Sequence, residues 1–123
     1  MSTLDRTKAN VTFFFDGSIE GHFLEKHRED LILFTKRGSE AESFLELLDH
    51  IESRAFSSDT ILYIVEDDYL HRSGWIDILL EGFSLPVDYV TLYDHRDKYF
   101  DPSYRKLESR LFATSSCHFR TTP

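Results

Sequence analysis

A single cysteine, Cys117, leaves no internal disulfide and fits a reducing compartment, so the expected location is cytoplasmic. No apolar run approaches the ~20 residues that a membrane-spanning helix needs. The opening MSTLDRTKAN lacks the apolar stretch of a signal peptide. With three prolines and five glycines there are no low-complexity tracts, no repeats and no internal linkers. Positive charge is also scarce: 14 Lys and Arg stand against 22 Asp and Glu, a net charge of −8. That balance speaks against duplex nucleic acid or an anionic membrane as partner. If phosphates are handled, a bridging cation is the expected means. What the chain does have is apolar and aromatic mass. Apolar residues make up 41% and aromatics 15%, with eleven Phe. A chain of 123 residues with this composition is expected to be one globular domain with a modest core.

Apolar patterning divides the chain into alternating strand-like and helix-like stretches. NVTFFFDGS is an apolar run stopped by Asp16-Gly17-Ser18, a turn signal, and reads as a strand buried on both faces. SIEGHFLEKHRED is weakly helical. LILFTKRG reads as a second strand ending at Gly38. SEAESFLELLDHIESRAF carries the strongest helical signal. Ser39 and Glu42 have capping-box spacing, and Ala41, Phe44, Leu45, Leu48, Ile51 and Ala55 form a stripe of 3.6 period. TILYIV reads as a third strand. GWIDILLEGFS reads as a helix with Trp75, Ile76, Leu79, Leu80 and Phe83 facing inward. DYVTLYD reads as a fourth strand, HRDKYFDPSYRK as a polar loop and SRLFATSSCHF as a fifth strand. The alternation predicts an α/β sandwich, a mostly parallel sheet flanked by helices.

Three of these strands end in acids: Asp16, the run Glu66-Asp67-Asp68, and Asp94. Open α/β sheets bind ligands beyond the carboxyl ends of their strands. Carboxylates meeting on such a rim suit a hard divalent cation that prefers oxygen ligands, and that cation can hold a diphosphate. Acids at strand ends are also ordinary solvated turn residues. Three consecutive acids after a buried strand are harder to explain that way, because adjacent like charges repel.

ILYIVEDDYL resembles the metal-binding segment of glycosyltransferases of the GT-A fold, whose DxD-type motif ends a central strand. VTFFFDGS is similar to the first acidic strand end of their family 2, and LFTKRGSEAESFLELLDHI to the Gly-led helix that follows. The order and spacing of the three pieces match over residues 11–83. The resemblance implies a nucleotide-diphospho-sugar transferase fold, Rossmann-like. It implies transfer of a sugar from a nucleoside diphosphate sugar to an acceptor hydroxyl on a glycan, lipid or protein. Asp16 would contact the base or ribose. Gly38 and Ser39 would pass close to the nucleoside, and Glu66 and Asp67 would touch ribose and donor sugar. Asp68 would ligate Mn²⁺ or Mg²⁺. Asp94 and Asp97, in LYDHRDKYF, would be candidates for the general base. The family opens with one more apolar strand than precedes Val11 and continues into acceptor-side elements. Residues 1–123 are therefore expected to be a single partial domain, truncated at both ends, whose open sheet edges leave three alternatives: the sheet closes up, copies self-associate through the edges, or the fold stays marginal.

Two other readings stay open. EDD after an apolar strand also resembles a response-regulator receiver, whose acidic pair binds Mg²⁺. Against it, too few residues follow Asp68, and SRLFATSSCHF supplies neither the required Asp nor the late Lys. The other is a non-catalytic remnant of the transferase fold. The remaining residues give weaker signals. The six His show no HxH or HxxxH spacing. His118 is a candidate metal ligand or diphosphate contact, or a plain surface or packed His; Arg120, Thr121 and Thr122 are candidates for phosphate or acceptor contact, or a frayed tail. Tyr93, Tyr99, Phe100 and Tyr104 are candidates for sugar stacking or plain packing.

Overall fold

The computed structural model describes residues 3–34, 38–66 and 68–121. The chain parts into two compact units, residues 10–67 and residues 1–9 together with 68–123.

In the unit of residues 10–67, β1 (Phe13–Asp16) and β2 (Leu31–Phe34) form a parallel pair, with Phe13 opposite Leu31 and Asp16 opposite Phe34. Parallel neighbours need a crossover of a dozen or more residues, and residues 17–30 provide it. Its second part, Phe23–Asp30, is 3-10 helix broken at His27, where φ −124° and ψ 35° leave the helical region. Leu24 is buried, and the His22 ring lies 4.5 Å from Phe15. Helix α1 (Glu40–Ser53) begins where sequence places it, because the Ser39 hydroxyl accepts the Glu42 N–H at 3.2 Å. It turns inward a face that shares only Ile51 with the stripe its pattern indicates. Ser43, Leu47, His50 and Ile51 are half-buried, and His50 meets the Phe14 ring edge-on at 5.0 Å. Phe44, Leu45 and Leu48 of the expected stripe are exposed.

In the unit built around residues 68–123, helix α2 (Trp75–Phe83) starts from Gly74 at φ 79°, a left-handed conformation that glycine adopts without a Cβ clash. Ile76, Leu79 and Gly82 are buried. A Cβ on Gly82 would stand 2.7 Å from Val90 Cγ1 and 3.0 Å from the Phe119 ring, so glycine permits close packing here. A short helix α3 (Asp97–Phe100) and a 3-10 turn (Pro102–Lys106) follow. Strands β3 (Leu111–Ala113) and β4 (His118–Arg120) close an antiparallel hairpin with Phe112 opposite Phe119. Glu81 of α2 grips the hairpin's turn. Its Oε2 accepts from Thr114 Oγ1 at 2.6 Å and from the Ser116 N–H at 3.0 Å, and its Oε1 from Ser116 Oγ at 2.6 Å. Lys8 joins this unit through an ion pair to Asp77 at 2.5 Å.

The sheet differs from the single mostly parallel one expected. Among the described residues there are two separate two-stranded sheets. The expected third strand, at 60–65, and fourth, at 88–94, are irregular. The expected fifth strand is the β3–β4 hairpin, folded back at 114–117, where the Thr114 N–H reaches the Cys117 carbonyl at 2.9 Å. The loop at 95–106 carries two helical turns. A strand is defined by its neighbour's hydrogen bonds, so an apolar, β-prone stretch without a ladder partner stays irregular. Residues 61–65 fit that account, since Ile61, Leu62, Ile64 and Val65 are each 40–48% exposed. The last part of the second strand's expected run, residues 35–37, lies outside the described residues, as does Asp67. Among the described residues no helix is long and apolar enough to cross a membrane.

Candidate functional site

The carboxyl end of β1 and the first turn of α1 meet at Asp16. Ser43 lies four residues beyond the capping Ser39, on the same helical face, and its hydroxyl donates to Asp16 Oδ2 at 2.8 Å. The same hydroxyl is 3.1 Å from the Ser39 carbonyl oxygen, so Asp16, Ser39 and Ser43 form one linked group. The amino-terminal turn of a helix carries partial positive charge and free N–H groups, which favours a carboxylate or phosphate beside it. Gly38, just before the cap, has φ +88°, and among the described residues a Cβ there would meet nothing within 4 Å. The backbone at this point is left-handed and open. The expected nucleoside-side residues Asp16, Gly38 and Ser39 therefore share one corner of this unit. Ser43 was not foreseen. The signal for it was its i+4 spacing from Ser39.

The acidic run is arranged differently. Glu66 ends the irregular 61–66 stretch and is exposed, and Asp68 is an exposed turn residue. Among the described residues, no three His, Cys, Asp or Glu side chains gather closely enough to share a metal ion. Mg²⁺ typically takes one or two protein carboxylates and fills its shell with water and substrate phosphate oxygens. An exposed Asp68 carboxylate fits that limited role, while a closed all-protein cage does not.

Asp94 lies just before α3, and Asp97 is its first residue. Asp94 Oδ2 accepts from the Tyr99 hydroxyl at 2.5 Å, and its Oδ1 lies 2.8 Å from Arg120 Nη2 and 3.6 Å from Lys98 Nζ. The Tyr99 hydrogen bond, with Arg120 and Lys98 beside it, holds the Asp94 carboxyl below its ordinary value of 3.8. The same bond raises the Tyr99 phenol above 10.0. A carboxylate held this way anchors cations better than it collects protons. Asp97 has His95 Nδ1 at 3.0 Å. The arginine, lysine and tyrosine around Asp94 come from β4 and α3. Of these, Arg120 was foreseen as a phosphate or acceptor contact, but its pairing with Asp94 was not, because the two are far apart in sequence.

Glu81 is likewise held below its ordinary 4.5, chiefly by the Ser116 hydroxyl, then by the Thr114 hydroxyl and the Ser116 N–H. Its role is to tie helix to hairpin. His118, weighed as a ligand or diphosphate contact against a plain surface or packed His, is exposed on β4, and Thr121 Oγ1 accepts the Arg110 N–H at 2.9 Å. Tyr69, Tyr93 and His95 form a short series of edge-on rings, each pair 5.5 Å apart.

The chain matches no protein-family model, no curated protein and no solved structure.

Proposed function

We propose that the chain is a glycosyltransferase-type domain that binds a nucleoside diphosphate sugar with the help of Mn²⁺ or Mg²⁺. The observation that carries this reading is the corner at Asp16. A parallel strand ends in a carboxylate, the next strand runs beside it, and a capped helix begins next to both through the Ser43–Asp16 bond. This is the setting in which α/β proteins take nucleotides. Asp16 meets the ribose or base, while Gly38 and Ser39 let the nucleoside approach the backbone. By the resemblance, Glu66 and Asp67 would touch the donor's ribose and sugar, and Asp68 would ligate the cation. When bound, the cation neutralises charge on the departing diphosphate. In the reaction the acceptor oxygen bonds to the anomeric carbon, the bond from that carbon to the diphosphate oxygen breaks, and a base takes the hydroxyl proton. Asp97 suits the base role better than Asp94, which is occupied by Arg120, Lys98 and Tyr99.

The irregular, exposed 61–65 stretch favours a second reading, a non-catalytic relative of the same fold. Calorimetric titration of the full chain with UDP and GDP, with and without Mn²⁺, separates the two. A catalytic-type site gives metal-dependent heat that loses its metal dependence in Asp68→Ala. Heat from neither nucleotide favours the remnant, and binding unchanged by Asp68→Ala removes the metal assignment.

A further inference from the structure

Within the unit of residues 68–123 the chain builds a small cationic hollow, although its net charge is −8. Lys98, Tyr104, Leu107, Ser109 and Arg120 line a half-open space of about 20 Å³. Both cations are largely covered, with Lys98 17% and Arg120 23% exposed, and so they are held in place. Arg120 is fixed from two directions. Its Nη2 donates to Asp94 at 2.8 Å, and its guanidinium lies over the Tyr99 ring, 4.7 Å from the centroid. Tyr99 in turn is tied to the same carboxylate. Such a frame spends one edge of the guanidinium on Asp94. Among the described residues no second carboxylate pairs with it, which leaves further N–H donors. Two cations share one acid, so the group carries an excess of one positive charge. An overall acidic chain repels anions at long range, and only a pre-ordered local group of this kind reverses that.

We propose that this hollow binds the phosphate group of a small ligand, with Arg120 and Lys98 as the charged contacts and the Ser109 and Tyr104 hydroxyls as additional donors. A phosphate, with several oxygens and up to two charges, can engage two separated cations at once, whereas Asp94 already supplies the carboxylate this frame requires. The space admits one phosphoryl oxygen, and the rest of the group stands in the open mouth. The proposal uses none of the residues of the Asp16 corner, so it stands or falls independently of glycosyl transfer.

The test is an amide NMR titration of the full chain with inorganic phosphate near neutral pH, at constant ionic strength, with acetate and chloride as parallel arms. Phosphate is expected to cause saturable shifts at Lys98, Ser109 and Arg120, and acetate and chloride are not. Arg120→Gln and Lys98→Gln should each weaken phosphate about tenfold, the scale of a charge-assisted contact. Lys98→Gln leaves the Tyr99–Asp94–Arg120 frame intact, so its effect does not depend on whether Arg120→Gln folds. Shifts that follow ionic strength alone, acetate binding as tight as phosphate, or phosphate affinity unchanged in Lys98→Gln would overturn it.

Discussion

Gly82 and Glu81 are neighbours on α2 with opposite duties. Gly82 lets Val90 and Phe119 come close, and Glu81 holds the hairpin's turn. Gly82→Ala puts a methyl group 2.7 Å from Val90 Cγ1, closer than packed carbons approach. Overpacking of this kind costs about 1–3 kcal/mol, outweighing the helix propensity gained, so thermal unfolding should shift to lower temperature. The carboxylates give a pH signature. Asp94 and Glu81 both have folded values below their ordinary 3.8 and 4.5. Their contribution to stability is therefore fully present above those ordinary values and is lost as pH falls through the lower folded ones. The Ser116 N–H donates to Glu81 and reports on that carboxylate directly. Its amide NMR shift should hold steady from neutral pH down to about 4.5 and change below that; a transition above it would contradict the assignment. At this scale little of the site was legible in sequence. Asp16 was marked by the turn it precedes, whereas the Arg120–Asp94 and Glu81–Ser116 pairings join residues far apart along the chain and have no local signature.

Helix α1 has the element boundary read most directly from sequence. Ser39 and Glu42 stand three apart, and the cap forms as that spacing predicts. Ser39→Ala should cost about 1 kcal/mol, and Ser39→Gly only a few tenths, measured by urea unfolding of the two variants side by side. No loss in Ser39→Ala would mean that the hydroxyl contributes nothing to the cap. The face of α1 was less legible. Periodicity marks a stripe through Phe44, Leu45 and Leu48, yet the helix docks through Ser43, Leu47 and His50. The pattern records where apolar mass is, while the Ser43–Asp16 bond and the His50–Phe14 contact fix the rotation of the helix. The strands follow the same logic. β1 and β2 find each other, but 60–65 and 88–94 have equal β character and, among the described residues, no ladder partner. The hairpin at 111–120 has the pattern of one strand because Thr114 to Cys117 contain neither glycine nor proline to mark the turn.

For the molecule as a whole, composition indicated a modest core. Among the described residues the buried apolar side chains are Leu24, Ile76 and Leu79. The 41% apolar content sets how much could be buried, and the elements lying alongside set how much is. The acidic balance and the run of acids at 66–68 led to a cation and a sugar nucleotide. The proposal draws on the Asp16 corner, where Ser43 donates to Asp16, while Glu66 and Asp68 sit on irregular, exposed chain. The reading therefore rests on whether that corner takes a nucleotide. Amide NMR of the full chain, titrated with UDP and with GDP in the presence of Mg²⁺, tests it most directly. Saturable shifts at Gly17, Gly38, Ser39, Ser43 and Asp68, diminished when Mg²⁺ is removed, are expected. Shifts from neither nucleotide, or shifts confined to residues away from Asp16 and the start of α1, would contradict it.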